Sequence, residues 1–177
     1  EELYGLNPKN LVPAGYGLLD SILKDQETVN GDTAEVEISS KRVLVAPSWG
    51  QAGLLETHGQ ELVEILLEAG HRVTVRPHSM TIREYPKLLA ELQSRFGQHP
   101  GFHLQSDLTL QGTVQESDIM ISDWSGSALE YAFGLERPVI FVDVPRKVNN
   151  PEYERISCVP VEVKLRSEIG EVVAPDR

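Results

Sequence analysis

Three short polar segments hold the residues of this chain that are best suited to bind a phosphate-bearing substrate. Each follows an apolar run typical of a buried strand: 48–51 (SWGQ) follows RVLVAP, 77–81 (PHSMT) follows RVTVR, and 123–127 (DWSGS) follows DIMIS. Hydroxyls, backbone N–H groups and a histidine can all donate hydrogen bonds to phosphate oxygens. In a parallel sheet the carboxyl ends of the strands share one edge, so we predict that the three segments form a single substrate-binding rim.

The last of these segments predicts a phosphate site at the start of a helix. Ser125, Gly126 and Ser127 open that helix, whose first N–H groups have no partner within the helix and whose dipole adds about half a positive charge. Glycine allows close approach of a phosphate, and the hydroxyls add donors. The alternative is that Ser125 or Ser127 only caps the helix, as serine commonly does without any ligand.

The neighbouring predicted strand ends at the cationic Arg76, and the acid–base residue His78 follows it. His78 can donate to a phosphoryl oxygen or act as an acid or base near neutral pH, which makes it the candidate catalytic residue, and Arg76 can bind a phosphate in a forked geometry. We also predict that Ser48, Trp49 and Gly50 contact substrate on the same rim. The alternative for an isolated histidine is a structural or solvent-facing role.

Glu130 lies about one turn inside the helix that Ser125 opens. Its carboxylate can accept hydrogen bonds from ribose hydroxyls while the helix start binds phosphate; the alternative is a glutamate that faces solvent. The chain contains neither a Gly-x-Gly-x-x-Gly nor a Walker A sequence, which argues against ordinary dinucleotide binding and P-loop hydrolysis. No Cys/His cluster suggests zinc, so we predict neither a cofactor nor a metal.

Composition excludes several classes of partner. The 177 residues suit one domain, and a formal net charge of −11 with a pI near 4.9 disfavours binding to nucleic acid. No apolar stretch approaches the roughly 18 residues of a membrane span, so direct membrane insertion is not expected. The single Cys158 cannot form an internal disulfide, and we predict a core residue in a reducing, cytoplasmic compartment. Because the chain begins at Glu1 without methionine, we expect it to be part of a longer protein.

Short apolar strands alternate with amphipathic helices along most of the chain. This alternation predicts a doubly wound α/β fold with a parallel sheet covered on both faces. The predicted strands are 42–47, 72–76, 102–104, 118–122 and 138–142, with an edge strand around 159–163. The predicted helices are 57–69, one from Thr81 to before Gly97, 110–116 and 127–134, and an exposed loop is predicted for 26–41.

The segment 117–143 (SDIMISDWSGSALEYAFGLERPVIFVD) resembles the nucleotide-binding C-terminal region of the CDP-glycerol glycerophosphotransferases, the teichoic-acid polymerase-like enzymes. In that family an Asp-Tyr-Ser-Ser stretch is followed by an acidic residue and then by a Lys-Pro-hydrophobic strand. Here 123–126 takes the first place, Glu130 the acidic place, and Arg137-Pro138 the last.

Two further segments carry the same resemblance. Residues 76–78 (RPH) are similar to the family's Arg/Lys-x-His-Pro segment, whose histidine lies at the active site. Residues 14–20 (AGYGLLD) are similar to the Gly-Tyr-Pro-x-x-Asp that commonly begins the second domain of GT-B-type transferases. A Ser-Gly-Gly-x-x-Glu-Glu pattern of the UDP-N-acetylglucosamine 2-epimerases is also similar to the segment around Gly126, which keeps a UDP-sugar open as the ligand.

The resemblance implies the donor-binding C-terminal half of a GT-B-type transferase. Its donor would be CDP-activated, its acceptor a polyol or polymer hydroxyl, and its second partner an N-terminal acceptor domain of the same protein. Family members often work at the cytoplasmic face of the membrane. Two alternatives stay open: a UDP-sugar glycosyltransferase or epimerase of the same fold, and a non-catalytic nucleotide-binding or interaction module.

Overall fold

The structure is a computed structural model that describes residues 5, 10, 12–29, 40–107, 112–148, 150, 152–156 and 158–176. Its strands are β1 (Arg42–Val45), β2 (Arg72–Val75), β3 (Phe102–Leu104), β4 (Ile119–Ser122), β5 (Val139–Val142) and β6 (Gly170–Val173). Its α-helices are α1 (Gly17–Val29), α2 (Leu54–Glu68), α3 (Ser79–Glu84), α4 (Pro86–Phe96), α5 (Gly112–Glu116), α6 (Ser127–Leu135), α7 (Val161–Lys164) and α8 (Arg166–Ile169).

The six strands form one sheet in the order β3-β2-β1-β4-β5-β6, and every neighbouring pair is parallel. The predicted doubly wound, Rossmann-like α/β fold is therefore confirmed. The chain runs outward from β1 to β3 and then returns to place β4 on the other side of β1. The loops after β1 and β4 consequently diverge at their carboxyl ends, and this divergence forms the crevice in which open α/β sheets bind ligands.

The core consists of two apolar layers, one on each face of the sheet. Successive side chains of a strand point to opposite faces, so Val43 and Val45 pack into the layer under α2 and α4, whereas Leu44 and Ala46 pack into the layer under α6. Burial on both faces explains why the strands read as almost continuous apolar runs.

Helix α1 packs against α6 at unusually short range. A methyl group added at Gly134 would lie 2.7 Å from Cγ2 of Ile22, so only glycine permits this spacing without movement. The predicted exposed loop at 26–41 is wrong at its start because α1 continues to Val29. Residues 30–39 of that loop lie outside the described residues.

Two other predictions differ from the structure. The helix predicted to begin at Thr81 is two helices, because Pro86 begins α4 and Tyr85 separates it from α3. The edge strand predicted around 159–163 is also wrong: Val161 begins the short helix α7, and the edge position belongs to β6. Two valines of this segment remain exposed, at 59% for Val159 and 52% for Val161.

Cys158 is exposed rather than buried in the core, because its segment does not join the sheet. None of the helices in the described part of the chain combines the length and apolar character that a membrane crossing requires.

Candidate functional site

Asp123 lies where β1 and β4 diverge, and its side chain connects the loops that follow these two strands. It is fully buried, and its carboxylate accepts hydrogen bonds from the backbone N–H groups of Ser48 at 2.6 Å, Trp124 at 2.6 Å and Leu54 at 3.1 Å. One side chain thus fixes the loop after β1, the first residue of α2 and its own loop. Three donors offset the cost of burying this carboxylate, so Asp123 positions the site and is not itself free for a ligand.

The start of α6 is open to solvent. Gly126 is exposed at the N-terminal end of this helix, and a methyl group added there would meet no atom within 4 Å. The hydroxyls of Ser125 and Ser127 lie 2.8 Å apart and are half-buried. Neither serine caps the helix through its side chain, which removes the simplest structural explanation for their presence.

A cavity of about 240 Å³, the Arg76–Glu130 cavity, lies beside this helix start. Arg76 from the end of β2 lines it together with Ser127 and Glu130 from the first turn of α6. Burial lowers the pKa of Arg76, and the charge of Glu130 opposes that shift. A cation, a hydroxyl and a carboxylate therefore share one cavity.

Glu130 already has a protein partner. The hydroxyl of the exposed Tyr16, just before α1, donates to its Oε1 at 2.6 Å. This hydrogen bond to a carboxylate raises the pKa of Tyr16. A ligand hydroxyl that binds Glu130 would have to share this oxygen with Tyr16 or displace it.

His78 caps α3 and lies against the loop after β1. Its Nδ1 accepts a hydrogen bond from the backbone N–H of Met80 at 3.1 Å, so the neutral ring carries its proton on Nε2. The ring stacks on Trp49 with centroids 6.1 Å apart. Burial, followed by the charge of Lys147, lowers the pKa of His78, while Glu56 and Asp123 oppose the shift. The neutral, Nε2–H form is favoured at pH 7, and it is a hydrogen-bond donor rather than a base.

A second cavity, the Trp49–Lys147 cavity, has a volume of about 210 Å³. Ser48, Trp49 and Gly50 line it, as do Arg146 and Lys147 from the segment after β5. These two cations are not among the site residues predicted from the sequence. The signal was present, because Pro145-Arg146-Lys147 follows the apolar run PVIFVDV in the way that the three polar segments follow their strands.

The predicted site residues therefore form two neighbouring groups. Arg76, Ser127 and Glu130 line one cavity, and Ser48, Trp49 and Gly50 line the other. His78 belongs to the second group through its contact with Trp49. Ser125 and Gly126 lie in the loop between them, next to Trp124 of the second cavity. Within the described residues, no group of three or more His, Cys, Asp or Glu side chains could hold a metal ion.

Comparison with protein-family profiles and with curated proteins gives no match. Solved structures similar to this chain include the E. coli heptosyltransferase WaaC with ADP, with a TM-score of 0.50 and 15% identity over 79% of this chain and 40% of that chain. They also include a variant of the wall teichoic acid polymerase TagF, with a TM-score of 0.41 and 18% identity over 71% of this chain and 28% of that chain. This chain thus spans less than half of each of them. The likeness to WaaC shows that this chain shares the Rossmann-like α/β fold of that structure.

Proposed function

We propose that this chain is the donor-binding domain of a transferase that moves a glycerophosphate-type group from a CDP-activated donor onto a polyol or polymer hydroxyl. The observation that carries the proposal is the shared Arg76–Glu130 cavity at the carboxyl edge of the sheet. Its cation and its hydroxyl suit a diphosphate, and its carboxylate suits a ribose. At about 240 Å³ the cavity accommodates one end of such a donor rather than the whole molecule.

Each part of the donor has a candidate partner. The diphosphate would bind the open start of α6 at Ser125, Gly126 and Ser127, where the helix dipole favours negative charge. Arg76 would pair with a phosphate oxygen, and Glu130 would accept from the ribose hydroxyls in place of Tyr16. An acidic chain can bind an anion here because these groups act at short range, whereas the net charge is spread over the whole surface.

The transfer step places a specific demand on His78. The acceptor oxygen attacks the phosphorus of the glycerophosphate group, the bond from that phosphorus to the CMP oxygen breaks, and CMP leaves with additional negative charge. A neutral His78 with its proton on Nε2 can donate to a phosphoryl oxygen during this step. The proton lost by the acceptor would then go to a base on the acceptor side, which suits a reaction in the cleft between two domains.

One observation favours a second candidate function. The solved WaaC structure, which shares the fold, is a heptosyltransferase and contains ADP. A nucleotide-sugar glycosyltransferase would use the same helix start and the same ribose carboxylate. The two candidates differ in the nucleoside that is preferred and in the group that is transferred.

Isothermal titration calorimetry with CDP-glycerol, CDP, UDP and ADP tests both candidates. We expect the cytidine nucleotides to bind most tightly, and Ser127→Ala and Glu130→Gln each to weaken binding by about tenfold, or about 1.4 kcal/mol. Matched controls are Ser94→Ala on α4 and Glu68→Gln on α2, which are exposed and line neither cavity. A preference for UDP or ADP would favour the glycosyltransferase, and no binding of any nucleotide would leave an interaction module.

A further inference from the structure

The Trp49–Lys147 cavity has features of a ligand site that do not depend on nucleotide binding. It lies at the carboxyl ends of β1, β4 and β5, and its lining ends at Trp124, three residues before the start of α6. The chain contains two tryptophans, and both Trp49 and Trp124 contribute to its wall. The cavity thus combines a position in the ligand-binding crevice with aromatic walls and two cations.

The two cations of this cavity rest on aromatic rings rather than on carboxylates. Lys147 places its Nζ 2.8 Å from the centroid of the Trp49 ring. The guanidinium of Arg146 lies 6.0 Å from the centroid of Trp124 and 5.3 Å from that of Tyr153. Within the described residues neither cation forms an ion pair, whereas five arginines do: Arg42, Arg83, Arg95, Arg155 and Arg166. In a chain with a net charge of −11, two exposed cations without carboxylate partners form a local positive site.

The carboxylates near this cavity are bonded to other groups and not to Lys147 or Arg146. Asp123 lines the cavity, but it is fully buried and accepts the three backbone hydrogen bonds described above. Asp143 pairs with Arg166 at 2.9 Å. The Oε1 of Glu56 accepts from the hydroxyl of Thr81 at 2.9 Å and from the backbone N–H of Gly50 at 3.5 Å. An anion that enters between Lys147 and Arg146 would therefore meet two cations with no carboxylate bonded to either.

The Trp124 ring, against which Arg146 lies, is held in place by other residues. The Nε1 of Trp124 donates to the carbonyl of Val144 at 2.8 Å, and the guanidinium of Arg166 stacks on the Trp124 ring at 3.7 Å from its centroid. Because this ring is held from two sides, Arg146 has a fixed surface on which to rest. A rigid first layer of contacts lowers the entropic cost of ligand binding.

We propose that the Trp49–Lys147 cavity is a second anion site, which binds the phosphate of a small phosphate monoester through Lys147 and Arg146. A dianionic phosphate matches two cations, and the forked guanidinium of Arg146 can bind two of its oxygens. The lining of this cavity does not include Ser125, Gly126 or Ser127, so we expect it to accept a phosphate while a nucleotide is bound at the start of α6. Its ligand would lie beside Trp49 and hence beside the stacked His78.

Occupancy of this site would also affect His78. Lys147 is the nearby positive charge that lowers the pKa of His78, whereas Glu56 and Asp123 oppose that shift. A phosphate bound to Lys147 would offset its charge, so the pKa of His78 would rise on binding. The second anion site would then couple the presence of a phosphate ester to the protonation of the candidate catalytic histidine.

Tryptophan fluorescence provides a direct readout, because both tryptophans of the chain line this cavity. The probes are glycerol 3-phosphate, inorganic phosphate, glycerol and CDP at constant ionic strength. We expect a saturable change with glycerol 3-phosphate and none with glycerol. Lys147→Gln and Arg146→Gln should each weaken this binding at least fivefold, while Lys87→Gln, an exposed lysine of α4 outside the cavity, leaves it unchanged.

The other possible results show which kind of phosphate group binds in this cavity. A response to CDP but not to glycerol 3-phosphate would assign the cavity to the donor diphosphate and overturn a separate site. A response to inorganic phosphate that equals the response to the ester would overturn a monoester site. A response that survives the Lys147→Gln/Arg146→Gln double substitution would place the anion elsewhere. Because glycerol 3-phosphate, inorganic phosphate and glycerol contain no nucleoside, a failure of nucleotide binding in calorimetry leaves their test independent.

Discussion

The buried carboxylate of Asp123 accepts a hydrogen bond of 2.6 Å from the backbone N–H of Ser48, and this bond joins the loop after β4 to the loop after β1. The two residues are 75 positions apart in the chain. Their contact lies where the strand order reverses, so the shape of the whole crevice depends on it.

We predict that Asp123→Asn destabilises the fold by about 2 to 3 kcal/mol, because a neutral amide is a weaker acceptor and its NH₂ group cannot accept from the buried N–H of Leu54 or Ser48. Urea unfolding measures the loss. Asp20→Asn, an exposed residue of α1, is the control and should stay within about 0.5 kcal/mol of the parent chain. Equal stabilities of the two variants would contradict the anchoring role of Asp123.

A second prediction concerns the pKa of His78. We predict that NMR titration gives His78 a pKa below the ordinary 6.5, and that Lys147→Gln raises it toward that value because one cause of the shift is removed. Burial, the larger cause, is unchanged, so the shift should persist in part. Lys87→Gln should not move the titration. A pKa of His78 at or above 6.5 in the parent chain would refute the prediction.

The lowered pKa of His78 also sets the sign of a pH effect on stability. The unfolded chain binds the His78 proton more tightly than the folded chain does. The contribution of His78 to the free energy of unfolding is therefore fully present above pH 6.5 and is lost as the pH falls through the folded pKa. His78→Asn removes the titrating group but keeps a side-chain acceptor for the N–H of Met80. The parent chain should therefore lose stability relative to this variant between about pH 7 and pH 5.

Much of the fold could be predicted from the sequence because burial on both faces marks each central strand as an apolar run. The loops that gather at the carboxyl edge follow from the same pattern. The edge strand could not be predicted in this way. The segment 159–163 is predicted to take the edge, yet pairing with β5 decides which segment does so, and β6 is the strand that pairs. A local sequence pattern does not determine a nonlocal pairing.

The residue types of the candidate site could be predicted, but their partners could not. Glu130 is predicted as a ribose acceptor, yet its carboxylate accepts from Tyr16, 114 residues away. Arg146 and Lys147 follow an apolar run as the other polar segments do, but their importance depends on the two tryptophan rings against which the fold places them. Such contacts join distant segments, and no local pattern encodes them.

The close approach of α1 to α6 gives a prediction about stability. Gly134→Ala should destabilise the chain by about 1 to 3 kcal/mol, because the added methyl group would lie 2.7 Å from Cγ2 of Ile22. In an Ile22→Ala background the same substitution should be neutral or stabilising, since alanine favours helix over glycine by about 1 kcal/mol. A double-mutant cycle measured by thermal unfolding tests this. Additive effects would show that the two helices do not pack as described.

The ion pair between Arg166 and Asp143 gives an asymmetric prediction. The side chain of Arg166 is 7% exposed and that of Asp143 is 54% exposed. Asp143→Ala leaves a buried cation with less compensation and should cost about 2 kcal/mol, whereas Arg166→Met replaces that cation with an apolar chain and should cost less than about 1.5 kcal/mol. Chemical denaturation of both variants compares the two costs. The reverse order would mean that the stack of Arg166 on Trp124 contributes more than its ion pair.

The hydrogen bond from Tyr16 to Glu130 gives the last prediction, which rests on the proposed nucleotide site. If Glu130 accepts from a ribose, the Tyr16 hydroxyl competes for its Oε1, so Tyr16→Phe should strengthen nucleotide binding by up to about fivefold, or about 1 kcal/mol. Tyr153→Phe is a matched control, because the Tyr153 hydroxyl also contacts a glutamate, Glu154, at 3.3 Å. Calorimetry with the preferred nucleotide measures both variants. Weaker binding by Tyr16→Phe would instead make Tyr16 part of the ligand site, with its hydroxyl and Glu130 acting together on the nucleoside.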